Sequence, residues 1–146
     1  MDRVGFYLTG AQPVERVLPL IARAAKRAGQ RMLVVSDSAE HIDALDKALW
    51  EECAGDVLAH GKAGEPHSDR QPLLLADACT AENGASLVAF ADGKWREEAE
   101  RFERVFVFFG DEGREAARAI WRQFDQREDI AREYHALEAG KWVQKT

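Results

Sequence analysis

Little in this chain marks it as a specialist. Its 146 residues hold two cysteines, Cys53 and Cys79, without CxxC spacing, so a disulfide framework is not expected and both thiols should stay reduced. No segment approaches the roughly 20 consecutive apolar residues of a membrane span. Met1-Asp2-Arg3 leads straight into a strand-like segment in place of an apolar signal region, and a cytoplasmic setting without membrane contact is the expectation. Positive charge is also short: 20 Lys and Arg stand against 26 Asp and Glu, a net charge of −6. Non-specific binding to nucleic acid draws on summed positive charge, so any such contact should be indirect or confined to a small patch.

The usual chemical signatures are missing too. A dinucleotide-binding turn needs several glycines after the first strand, so that the backbone can approach a pyrophosphate at a helix N-terminus. Here the turn reads Leu8-Thr9-Gly10-Ala11-Gln12-Pro13, which argues against a nucleotide-binding loop. Neither GxxxxGK[ST] nor GxSxG occurs, leaving a phosphate-cradling loop and a nucleophile elbow unsupported. Cys53, His60, His67 and Cys79 gather thiols and imidazoles in one region. Structural zinc sites pair ligands about two to four residues apart; these lie farther apart, so no metal or other cofactor is expected. His41 reads as a solvated or capping group, and His135, near Glu133 and Glu138, has no nucleophile beside it.

What the chain does have is a plain α/β pattern. Apolar residues make up 46% and charged residues 32%, as in ordinary globular proteins, and the length fits one domain with a full core. Arg3 to Leu8, Arg31 to Ser36, Leu73 to Ala76, Ser86 to Phe90 and Val105 to Phe109 read as strands. Val14, Val17, Leu18, Ile21 and Ala25 recur at helical spacing between Pro13 and Gly29, with a bend expected at Pro19. A second helix follows the Ser36-Asp37-Ser38 turn on Ile42, Leu45 and Leu49. Gly61 to Gln71 reads as a long loop, Lys94 to Glu103 as helix-prone, and Asp129 to Glu138 as a last helix. Strands alternating with helices predict a three-layer α/β domain around a mostly parallel sheet flanked by helices.

The segment from Arg114 to Phe124 stands out. Arg114, Arg118 and Arg122 repeat every fourth residue and Trp121 lies three past Arg118, so a helix stacks all four along one side. Ala117, Ile120 and Phe124 fall on a neighbouring side suited to a core. Guanidinium and indole on one stripe fit an anionic, partly apolar partner, although a solvated arginine face has the same spacing.

Several of these residues resemble a known family, the chi subunit of the bacterial DNA polymerase III clamp-loader complex. The matches are Phe6-Tyr7-Leu8, Leu45-Asp46-Lys47-Ala48-Leu49-Trp50, His60 followed by Ala63-Gly64-Glu65, and the helix carrying Ala117-Arg118, Trp121-Arg122 and Phe124. Their order and spacing follow the family's. The resemblance implies a Rossmann-like fold and an adaptor without enzyme activity, which binds the acidic C-terminal tail of single-stranded DNA-binding protein. It places the tail on Arg114, Arg118, Trp121 and Arg122, with arginine and tryptophan where the family often has lysine or tyrosine. It also implies a second face for a psi subunit or a competing helicase around Trp50, Val57 and His60. Trp50 has another reading, as a plug closing the core at a helix end. Two alternatives of other classes are a small α/β enzyme with a scattered site and a direct binder of single-stranded nucleic acid.

Overall fold

The computed structural model describes residues 1–51, 59–80 and 82–145. Among these residues eight strands form one sheet: β1 (Arg3–Gly10), β2 (Met32–Val35), β3 (His60–Lys62), β4 (Leu73–Ala76), β5 (Leu87–Phe90), β6 (Arg104–Gly110), β7 (Ala131–Glu138) and β8 (Lys141–Gln144). Their order is β3-β4-β2-β5-β6-β1-β7-β8. Every pairing is parallel except that of β7 with β8. The central strands are apolar at nearly every position because both of their faces are covered.

Two helices, α1 (Val14–Arg27) and α2 (Ala39–Glu51), pack on one face, where Leu18, Leu45 and Leu49 meet Tyr7, Val34 and Phe108. The third, α3 (Arg114–Arg122), covers the other face over Phe6, Val107 and Phe109. This is the mostly parallel, helix-flanked α/β architecture the sequence predicts. Local chemistry sets the helix ends. Gly29 takes φ +68°, its N–H bonds to Lys26 O, and the Gln30 N–H reaches Ala25 O at 3.0 Å. These two bonds close a left-handed C-terminal cap that glycine adopts without strain. Ser38 Oγ accepts the His41 N–H at 3.2 Å and caps α2. Helix α1 runs through Pro19, which is buried.

Three expectations fail. Asp129 to Glu138 is not a helix: Ala131–Glu138 is strand β7, paired with β1 so that Tyr134 faces Phe6. Its charged side chains imitate a helix surface, but they are satisfied across the sheet. Glu133 takes an ion pair from Arg3, lies 3.6 Å from Arg104 and bonds His135 at 3.3 Å. Lys94 to Glu103 forms only a 3-10 turn at Glu97–Arg101, because Ala99 and Phe102 point into the core three residues apart. Gly61 to Gln71 is not loop throughout, since the edge strand His60–Lys62 pairs with Leu73 to Leu75 through its backbone.

Gly5 marks a close approach. A methyl there would stand 2.5 Å from Tyr7 Cε1, and the Tyr7 ring cannot retreat: His135 stacks on it at 4.6 Å and Trp142 meets it edge-on at 5.2 Å. Gly5→Ala is therefore expected to destabilise the fold by about 1–3 kcal/mol, as overpacking does. The urea midpoint of unfolding reads this directly, and an unchanged midpoint would show that the ring does give way.

Candidate functional site: a hollow beside α3

The arginine helix splits its residues as its spacing requires. Ala117 and Ile120 are buried with Phe124 just beyond the helix end, whereas Arg114, Arg118 and Arg122 are exposed and Trp121 is half-buried. Between α3 and the sheet lies a hollow of about 220 Å³. Phe6, Phe109 and Ala117, all buried, form its floor; Trp121 and Tyr134 are its walls; Arg114 and Arg118 stand at its rim. Arg122 is not part of this lining, and sits with Glu115 and Arg118 in an adjoining recess, so that Arg118 borders both.

The rim arginines differ electrostatically. Arg114 is tied to Asp111 Oδ1 at 3.0 Å. No carboxylate among the described residues pairs with Arg118 or Arg122. Trp121 is held from two directions. The Phe6 ring packs against it with centroids 5.1 Å apart at 61°, and the Arg132 guanidinium lies over the indole at 4.7 Å. The opening thus offers apolar surface beneath two cations. It suits an apolar side chain that carries, or lies beside, a carboxylate.

Phe6, Phe109, Arg132 and Tyr134 are residues of this region that the sequence reading missed. Phe6 and Phe109 looked like core, as they are, and only sheet register places them under the hollow. Arg132 and Tyr134 were hidden by the helix assigned over β7; the alternation of Arg132, Tyr134 and Ala136 was the available signal.

Of the second predicted face, Trp50 and His60 lie among the described residues. Trp50 is 67% exposed, which overturns its reading as a core plug: it lies in the last turn of α2, where Leu49 already fills the interior. Its ring leans on His60 at 4.7 Å, and His60 Nε2 meets Asp46 Oδ1 at 3.1 Å. Val57 and Cys53 lie outside the described residues. Cys79 is buried, and burial pushes its thiol up to about 11, which leaves it protonated and inert at neutral pH.

Folds of the α/β class place catalytic groups at the C-terminal strand ends. The hollow beside the ends of β1 and β7, about 420 Å³, has Arg16 as the one ionisable side chain among the described residues lining it. Asp92, after β5, is only partly exposed. Its burial alone would raise its pKa, but both Arg96 nitrogens at 2.8 Å and the backbone N–H groups of Asp37 and Lys94 outweigh that and hold it below the ordinary carboxylate value. A carboxylate so fully used as an acceptor makes a poor base. His41 is neither a simple cap nor solvated: Nδ1 lies 2.8 Å from Ser36 Oγ and Nε2 3.0 Å from Glu15 Oε1. That series imitates a nucleophile, base and orienting acid. Ser36 is completely buried, however, and lines none of the hollows described above, so the three side chains act as a polar tie joining α1, β2 and α2. No helix among the described residues is long and apolar enough to cross a membrane.

No curated protein sequence matches this chain. The family model of the DNA polymerase III chi subunit, HolC, matches residues 1–130. That match takes in β1 through α3, including the floor of the hollow and both rim arginines. This α/β chain therefore belongs to the DNA polymerase III chi subunit family, accessory subunits of the replicative polymerase.

Proposed function

We propose that this chi-family protein is a non-catalytic adaptor of the polymerase III clamp-loader complex that binds the acidic C-terminal tail of single-stranded DNA-binding protein in the hollow beside α3. The observation that carries this reading is the pairing of an apolar hollow with a rim arginine, Arg118, that has no carboxylate partner among the described residues. A terminal phenylalanine has the apolar bulk to enter between Trp121 and Tyr134. The guanidinium of Arg118 grips the free carboxylate through parallel hydrogen bonds, and Arg122 in the adjoining recess attracts acidic residues further up the tail. An interface this small, with its charges open to water, weakens as salt rises. Contact with DNA is indirect on this reading, through the coated template.

The test is a titration of the protein with a synthetic tail peptide, with and without its terminal phenylalanine, beside a naked single-stranded oligonucleotide at moderate salt. Binding of the full peptide alone is expected. Equal binding of the truncated peptide would reduce the site to a generic cationic patch, and preferential binding of the oligonucleotide would favour direct contact with nucleic acid. The balance of charge speaks against the oligonucleotide: the chain carries a net −6, and binding to naked single strands draws on summed positive charge. The exposed Trp50 over His60 supports a second docking face, which we assign to a psi-like subunit or a competing helicase.

A further inference from the structure

The geometry points to Arg132 as a positioning residue for tail binding, acting through Trp121 while making no contact of its own with the peptide. This rests on the adaptor reading above. Arg132 lies on β7, beyond the residues matched by the family model, and is absent from the lining of the hollow. Its guanidinium sits 4.7 Å over the Trp121 ring, donates from Nη1 to the Trp121 carbonyl oxygen at 2.8 Å, and is anchored by Asp125 Oδ1 at 2.7 Å. One side chain therefore fixes both the ring and the backbone of the same tryptophan.

The carbonyl contact has a further role. Trp121 lies in the last turn of α3, where carbonyl oxygens lack the N–H of a following turn; Phe124 N–H also reaches Trp121 O, at 3.2 Å. Arg132 adds a cation at the negative end of the helix and ties that end to β7. Without it the indole keeps Phe6 as its one ring contact among the described residues, and the slot between Trp121 and Tyr134 loses its fixed width. Preorganisation of this kind raises affinity by removing an ordering cost on binding.

Two substitutions separate positioning from simple charge. Arg132→Gln removes the cation and the clamp together, whereas Asp125→Asn loosens the clamp and makes the surface less negative. If only charge mattered, Asp125→Asn would tighten binding of an acidic peptide; if Arg132 positions Trp121, both variants weaken it. With a synthetic peptide carrying an acidic run and a terminal phenylalanine, a loss of roughly fivefold or more is expected for Arg132→Gln, and little further loss when Trp121→Ala is already present. The Trp121 indole N–H resonance, assigned by its absence in Trp121→Phe, should shift and broaden in both clamp variants before any peptide is added. An equal loss in both Trp121 backgrounds, tighter binding by Asp125→Asn, or an unmoved resonance overturns the proposal. Should the unsubstituted protein not bind the peptide, the adaptor reading fails by itself, and the resonance alone decides whether Arg132 holds Trp121.

Discussion

Trp121→Ala and Arg118→Ala are each expected to weaken binding of the tail peptide by more than about tenfold, roughly 1.4 kcal/mol. The two losses have different physical origins. Trp121 is a wall of the hollow, and its removal both opens the slot to water and takes away an aromatic surface of the kind that anchors small interfaces. Arg118 is exposed and unpaired with any described carboxylate, so its replacement removes attraction for the carboxylate without leaving a buried charge behind. The Arg118 effect should therefore shrink with added salt, while the Trp121 effect persists. Arg114, already occupied by Asp111 at 3.0 Å, should matter less than Arg118. Isothermal titration at two ionic strengths checks all three statements. Unchanged affinity in a folded protein carrying both alanines would sink the assignment of the site.

Phe90→Ala is expected to cost about 3–5 kcal/mol of folding stability, a large share of the 5–15 kcal/mol typical of a domain. Phe90 is fully buried at the C-terminal end of β5. Trp95 meets its ring edge-on at 5.6 Å and the Arg96 guanidinium lies 5.2 Å above it. Trp95 in turn touches Phe124 at 5.2 Å, just past the end of α3. The damage should thus reach beyond the cavity and loosen the seat of the helix that carries the proposed docking residues. Urea denaturation measures the loss; a midpoint shift worth less than about 1 kcal/mol would mean that Trp95 swings in to refill the space.

Much of this architecture is legible in the sequence, for identifiable reasons. Val105 to Phe109 is apolar throughout because β6 is covered on both faces, and the spacing of Val17, Leu18 and Ile21 reports the buried side of α1. Strand β7 was misread because a polar residue buried beside a cross-strand partner looks, in one dimension, like a solvated one. Nothing near Glu133 in the sequence discloses Arg3 or Arg104. The proposed docking site was half legible by the same logic. Arg114, Arg118 and Trp121 share a local helical period, whereas Phe6, Phe109 and Tyr134 join them only through sheet register. Arg122 shares the period but lies one turn beyond the hollow, a distinction that periodicity cannot draw.

The position of β1 between β6 and β7 has a consequence for how the molecule comes into being. Strand β1 is made well before both of its partners, β6 and β7, and Phe6 meets Val107 on one side and Tyr134 on the other. Closing such distant pairs is slow and comes late in folding. A chain that lacks β6 and β7 has no Tyr134 wall and neither of the strands that flank Phe6. On the adaptor reading proposed above, recognition by this hollow is therefore a property of the finished molecule, available only once β7 has emerged.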